Sequence, residues 1–177
     1  LKSAQAAGID IPARIIFKTA AFIDGVTLPS GEVFYSNQAP GVGRRGQGVA
    51  AVGMASAQFL GFPVDSPLAK RQAAILLANP PEWSRVELKN GMDSVYYWYY
   101  ATIALFQMGG QPWDQWNKEL KKTVLLRQRR GGCLDGSWDP PGNWWDRMGG
   151  RVYATALNVL NMEIYYRYLP IYSGASL

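Results

Sequence analysis

The 177-residue chain contains no histidine. That absence removes the commonest general acid/base, the Ser-His and Cys-His dyads, and nearly every catalytic zinc site. Cys133 is the only cysteine, so neither an internal disulfide nor a cysteine metal cage can form. No apolar run reaches the roughly 18 residues that would suggest a membrane span. The chain opens Leu1-Lys2-Ser3-Ala4-Gln5 without a signal-peptide pattern. Leu1 to Ala7 reads as the tail of a helix that starts upstream, so a longer parent chain is expected. Hydrophobic residues make up 48% of the chain and aromatics 13%, which excludes a disordered polymer and suits one domain with a real core.

Charge is modest in sum, +5, and uneven in placement. Much of it lies between Lys118 and Arg130. On an amphipathic helix such a run is a solvated face more often than a nucleic-acid footprint. No helix-turn-helix, zinc-finger or RNA-binding signature accompanies it, so nucleic acid is an unlikely partner.

Two kinds of helix alternate along the chain. Pro12 to Asp24, Pro67 to Asn79 and Pro112 to Arg130 are amphipathic. The first groups Ile15, Ile16, Thr19, Phe22 and Ile23 away from Arg14 and Lys18. The second groups Leu68, Ile75 and Leu76. The third spaces Trp113, Trp116, Leu120 and Val124 helically. Between them, Gln47 to Phe62, Val95 to Gly109 and Val152 to Met162 carry no charge, and a helix apolar all round must be buried all round. Asp10 and Ser66 are candidate N-caps, Pro12, Pro67 and Pro112 candidate first positions, and Gly25, Gly61 and Gly109-Gly110 candidate C-caps. Pro80-Pro81 stops the second amphipathic helix. The apolar helices share small-residue pairs, Ala55-Ser56, Ala101-Thr102 and Ala154-Thr155, about fifty residues apart. The chain therefore reads as all-α, one unit of three helical hairpins over approximately 11–62, 67–110 and 112–168. The economical packing is an inner ring of apolar helices inside an outer ring. Three pairs make a partial ring, so further repeats are expected in the parent chain.

The turn after the third outer helix runs from Gln128 through Gly136 to Trp138. It resembles the QW repeat of squalene-hopene and oxidosqualene cyclases, with a longer gap between Gln128 and Gly136. Gly31-Glu32-Val33-Phe34-Tyr35 is a degenerate copy. Tyr96 to Trp113 and Gly149 to Tyr172 look like bacterial prenyltransferase and squalene-oxidase repeat proteins. The resemblance implies the α/α toroid of terpenoid cyclases and protein prenyltransferase β subunits, a fold also carried by complement-type thioester domains. Fold does not transfer activity. The cyclase Asp-x-Asp-Asp acid is missing, as are the Asp, Cys and His zinc set of the prenyltransferases and the Cys-Gly-Glu-Gln thioester motif. Any such group would have to come from other repeats.

Several stretches admit a functional and a structural reading. Gly41-Val42-Gly43-Arg44-Arg45-Gly46 matches a dinucleotide fingerprint formally, with Asp65 downstream, but Pro40 precedes it and no βαβ unit follows. A loop entering an inner helix accounts for it, and its helix start with Arg44 and Arg45 could hold an anion. Asp93 to Tyr100 is the densest aromatic stretch. It fills a splayed core or lines an apolar chamber, where aromatic faces in the resembling enzymes stabilise cations. Asp93 is a helix cap or, facing a cavity, a candidate acid. Asp139, Asp146, Arg147 and Arg151 form an ion-paired loop or a polar rim. Trp138 is a structural tryptophan, and Trp144 and Trp145 are core or recognition surface.

The reading that follows is a non-catalytic toroid scaffold without metal or cofactor. It would bind a protein partner or an isoprenoid- or lipid-like ligand where the inner helices start. That end would present Arg44, Arg45, Gln47, Asp93, Tyr96, Tyr97, Arg147, Arg151 and Tyr153. The alternative is an isoprenoid-handling enzyme whose catalytic residues lie outside this chain.

Overall fold

A computed structural model describes residues 1–36, 46–83, 94–141 and 144–167. The described chain is all-helical, its β features being two isolated bridges. The elements are α1 (Lys2–Ala6), α2 (Ala13–Val26), α3 (Gln47–Phe59), α4 (Pro67–Leu77), α5 (Val95–Met108), α6 (Gly110–Leu125), a 3₁₀ turn (Gly132–Leu134), α7 (Trp144–Met162) and α8 (Ile164–Arg167).

The amphipathic and apolar helices sort into two rows. α3, α5 and α7 pack side by side, while α2 and α4 pack on α3, α6 packs on α5, and α4 touches α6. Polar bonds set the direction of the buried row. Gln58, near the end of α3, donates to the Ala104 carbonyl at 3.0 Å and accepts from Gln107 at 3.2 Å, both near the end of α5. α3 and α5 are thus parallel neighbours. The small residues sit at the crossings: Ala55, Ala101, Thr102 and Ala154 are buried. Thr102 accepts from the Trp116 indole of α6 at 2.9 Å, tying the outer helix to the inner one.

The caps follow the sequence in part. Ser66 accepts from the Ala69 amide, with Pro67 opening α4. Asp10 does not cap α2, which begins after Pro12 with no side-chain cap, and Gly25 lies inside α2. The hydroxyl of Ser94 caps α5 by accepting from the Tyr97 amide at 3.2 Å. Helix α6 starts earlier and ends sooner than Pro112 to Arg130, because Gly109 (φ 69°) breaks the chain directly after α5 and Leu126 already turns it at the other end. Helix α7 is broken at Gly150 (φ 65°, ψ −163°), a conformation open essentially to glycine alone.

Two outer helices end in the same clasp. After α2, Thr27 bridges Val33; after α6, Gln128 bridges Trp138. Gly31 and Gly136, each two residues before the second partner, take positive φ (95° and 76°) to reverse the chain. Each clasp then meets an inner helix. A Cβ on Gly53 of α3 would fall 2.8 Å from Val33, and Thr155 of α7 accepts from the Trp138 amide at 3.1 Å. Trp138 is buried, and its indole donates to the Val124 carbonyl at 2.8 Å, satisfying the C-terminal turn of α6. The Gln128 side chain closes the turn on the Gly136 carbonyl at 3.0 Å.

One expectation fails at the end of the row. Helix α7 is not buried on every face: Met148 is 70% and Val152 83% exposed. Its main helical neighbour is α5, with the short α8 beside it. α2 likewise buries only Val26 fully and leaves Phe17 and Phe22 exposed, with α3 as its main helical neighbour among the described residues.

On its covered side α7 buries Asn158 and Asn161 completely, and none of their four amide N and O atoms has a hydrogen-bond partner among the described residues. Leaving such groups unpaired costs about 1–3 kcal/mol each. Asn158→Leu and Asn161→Leu, which match the asparagine shape with apolar atoms, are therefore expected to raise the thermal midpoint, each stabilising by about 1–3 kcal/mol. Gly53→Ala should do the reverse. The Val33 clash costs about 1–3 kcal/mol and outweighs the gain of about 1 kcal/mol in helix propensity. Thermal unfolding followed by circular dichroism reads both effects.

Candidate functional site

The first two turns of α5 divide their aromatics by direction. Val95, Tyr97 and Trp98 point inward. Tyr97 shares its hydroxyl proton between the carbonyls of Leu76 (3.1 Å), in the last turn of α4, and Asn79 (2.8 Å), just beyond it, and its ring meets Trp116 edge-on at 5.8 Å. Tyr97 is therefore a strut between α4, α5 and α6. Of the aromatics assigned to the ligand end, it is the one whose placement is structural.

Tyr96, Tyr99 and Tyr100 face the other way. Tyr96 and Tyr100, one turn apart, stack with centroids 4.8 Å apart, and Tyr99 meets Tyr100 edge-on at 5.1 Å. Tyr153, near the restart of α7 after Gly150, joins them through its electrostatic contact with Tyr100. Gly149 makes room for it, since a Cβ there would fall 2.6 Å from the Tyr153 ring. The Asp146 carboxyl is fully buried next to Tyr153. Burial pushes the Tyr153 phenol up to about 12, with the Asp146 charge and then Tyr100 adding to the shift. Burial also raises Tyr100 to about 12, helped by its charge coupling and hydrogen bond to Tyr96 and by Tyr99. The four tyrosines thus cluster where α5 and α7 begin, with the Asp146 carboxyl buried beside Tyr153, and the Tyr100 and Tyr153 phenols stay neutral and able to donate at any ordinary pH.

The other expected site residues are dispersed. Arg44, Arg45 and Asp93 lie outside the described residues. Gln47 is half-buried at the start of α3. Arg147 is exposed, while Arg151 ion-pairs with Asp139 and reaches Ser137 Oγ at 3.4 Å. Asp139 also faces Arg129 at 3.6 Å. The Asp139, Asp146, Arg147 and Arg151 group therefore splits into a surface ion pair, an exposed arginine and a buried carboxyl. Trp144 and Trp145 are exposed and meet edge-on at 4.5 Å. Among the described residues, no group of three metal-binding side chains converges, and no helix is long and apolar enough to cross a membrane.

Tyr99 and Tyr100 join the site from the aromatic stretch read as core or chamber lining, and Asp146 from the group read as an ion-paired loop or polar rim. The i, i+4 spacing of Tyr96 and Tyr100 was a usable signal. Nothing local marks Asp146, whose partner Tyr153 lies beyond the Gly150 break. Comparison with family models, curated proteins and solved structures finds no match.

The raised phenols give the site a pH signature. Tyr100 and Tyr153 ionise near 12 when folded and near 10 when unfolded, so above pH 10 the unfolded state sheds protons that the folded state keeps. Their contribution to stability is full below pH 10 and is lost as pH rises from about 10 to 12. An absorbance titration at alkaline pH should show two late-ionising tyrosines, and Tyr100→Phe and Tyr153→Phe should each remove one.

Proposed function

We propose that the chain is a non-catalytic binding scaffold built as part of an α/α toroid, and that it takes an apolar ligand on the tyrosine surface where α5 and α7 start. The observation that carries this reading is the cluster of Tyr96, Tyr99, Tyr100 and Tyr153, with buried Asp146 beside Tyr153. Aromatic faces give an apolar body broad contact, while neutral hydroxyls offer directed hydrogen bonds to a polar head. Parallel rows of inner and outer helices support the toroid, as do the matching clasps after α2 and α6. An isoprenoid-like molecule fits that description, with a long hydrocarbon and one polar end. A protein partner presenting apolar side chains is the other occupant such a surface accepts.

Native mass spectrometry of the chain mixed with squalene or with farnesyl diphosphate tests the reading. A retained adduct is expected, and Tyr100→Ala or Tyr153→Ala should weaken it about tenfold, the value of roughly one aromatic contact with its hydrogen bond. A folded protein with no adduct refutes the isoprenoid ligand. A product differing in mass from the input would replace the scaffold with the enzyme alternative.

A further inference from the structure

Helix α6 seats Trp116, Leu120 and Val124 in the core. Its opposite face should be wholly polar, as on any helix with one wet side. Instead Lys118, Lys121, Lys122 and Leu125 share that face at i, i+3, i+4 and i+7. Leu125 is 46% exposed, and Leu126, which turns the chain at the end of the helix, is 78% exposed. Two leucines therefore project from the end of a lysine stripe. From Lys118 to Arg130 the chain carries six cations and one acid, Glu119. Arg129 faces Asp139, and Arg127 lies over the Trp83 ring at 6.0 Å, while Arg130 and the three lysines are exposed.

We propose that this face of α6 docks on an anionic lipid bilayer. The chemistry matches on both counts. Lysine and arginine heads gain from the negative headgroup layer, each by a comparable increment, while their stems lie along the interface. Leu125 and Leu126 then enter the boundary between headgroups and acyl chains, as the apolar residues of an interfacial helix do. The leucines decide against a nucleic acid. A phosphate backbone would satisfy the lysines, but a hydrated duplex offers no apolar phase for two adjacent leucines. The docking face is built from residues of α6 and its end and shares none with the tyrosine cluster of α5 and α7.

Co-sedimentation of the chain with vesicles tests the proposal. The vesicles are phosphatidylcholine alone or phosphatidylcholine mixed with phosphatidylserine, each at low and high salt. Binding is expected on the phosphatidylserine vesicles only, falling as salt rises. Lys118→Gln, Lys121→Gln and Lys122→Gln together should weaken it about a hundredfold. Leu125→Ser with Leu126→Ser should weaken it on the order of tenfold. These side chains are exposed, and an unchanged circular dichroism spectrum confirms that the variants fold. Failure to bind phosphatidylserine vesicles, equal binding to the neutral ones, or full binding by the leucine variant overturns the proposal. So does duplex DNA that strips the protein from vesicles at matched phosphate and salt, which would assign the face to nucleic acid.

Discussion

An α-helix with an apolar circumference leaves water only if other helices surround it, and α5 makes that demand on the whole structure. From Val95 to Leu105 it buries every residue but Tyr96, Tyr99 and Tyr100. Helices α3 and α7 close its two flanks and α6 its back. Two of these neighbours are also held by polar bonds: Gln58 and Gln107 between α3 and α5, Trp116 and Thr102 between α6 and α5. The three tyrosines that escape burial mark the one sector of α5 that no described helix covers, and that sector is the candidate site.

Outer helices need their own anchors, because a one-sided helix is held by one face only. The chain uses aromatic and backbone groups at helix ends for this. Tyr97 bonds carbonyls at the end of α4, and Trp138 bonds the Val124 carbonyl at the end of α6. Both place a polar tip on carbonyls at a helix end while the ring fills core volume. The clasps at Thr27–Val33 and Gln128–Trp138 add a second hold. A small side chain on the inner helix receives each, Gly53 in one case and Thr155 in the other.

Burial is not uniformly favourable. α7 exposes Val152 and hides Asn158 and Asn161, which stand on the opposite side of the same helix. Its covered face is chosen by contact with α5 and by the break at Gly150, which sets where the helix restarts, rather than by the best hydrophobic arrangement of its own residues. The nearby Tyr153 and Asp146 owe their meeting to the same break. The site and the poorly satisfied asparagines are thus two consequences of one backbone feature.

Composition and periodicity by themselves determined the all-helical class, the burial of α3 and α5, the Ser66 cap, and the burial of small residues such as Ala55, Ala101 and Ala154. These are local properties, written in spacing and in the chemistry of single residues. Tertiary structure alone decided which tyrosines serve and which support. Tyr96 and Tyr97 are adjacent and chemically identical, yet about 100° of helical rotation sends one to the open surface and the other to the carbonyls of α4. It also decided that Asp146 is buried while Asp139 is spent on Arg151, and that α7 keeps a bare face. Those outcomes depend on which helix stands opposite, and a neighbour distant in sequence leaves no trace in the local pattern.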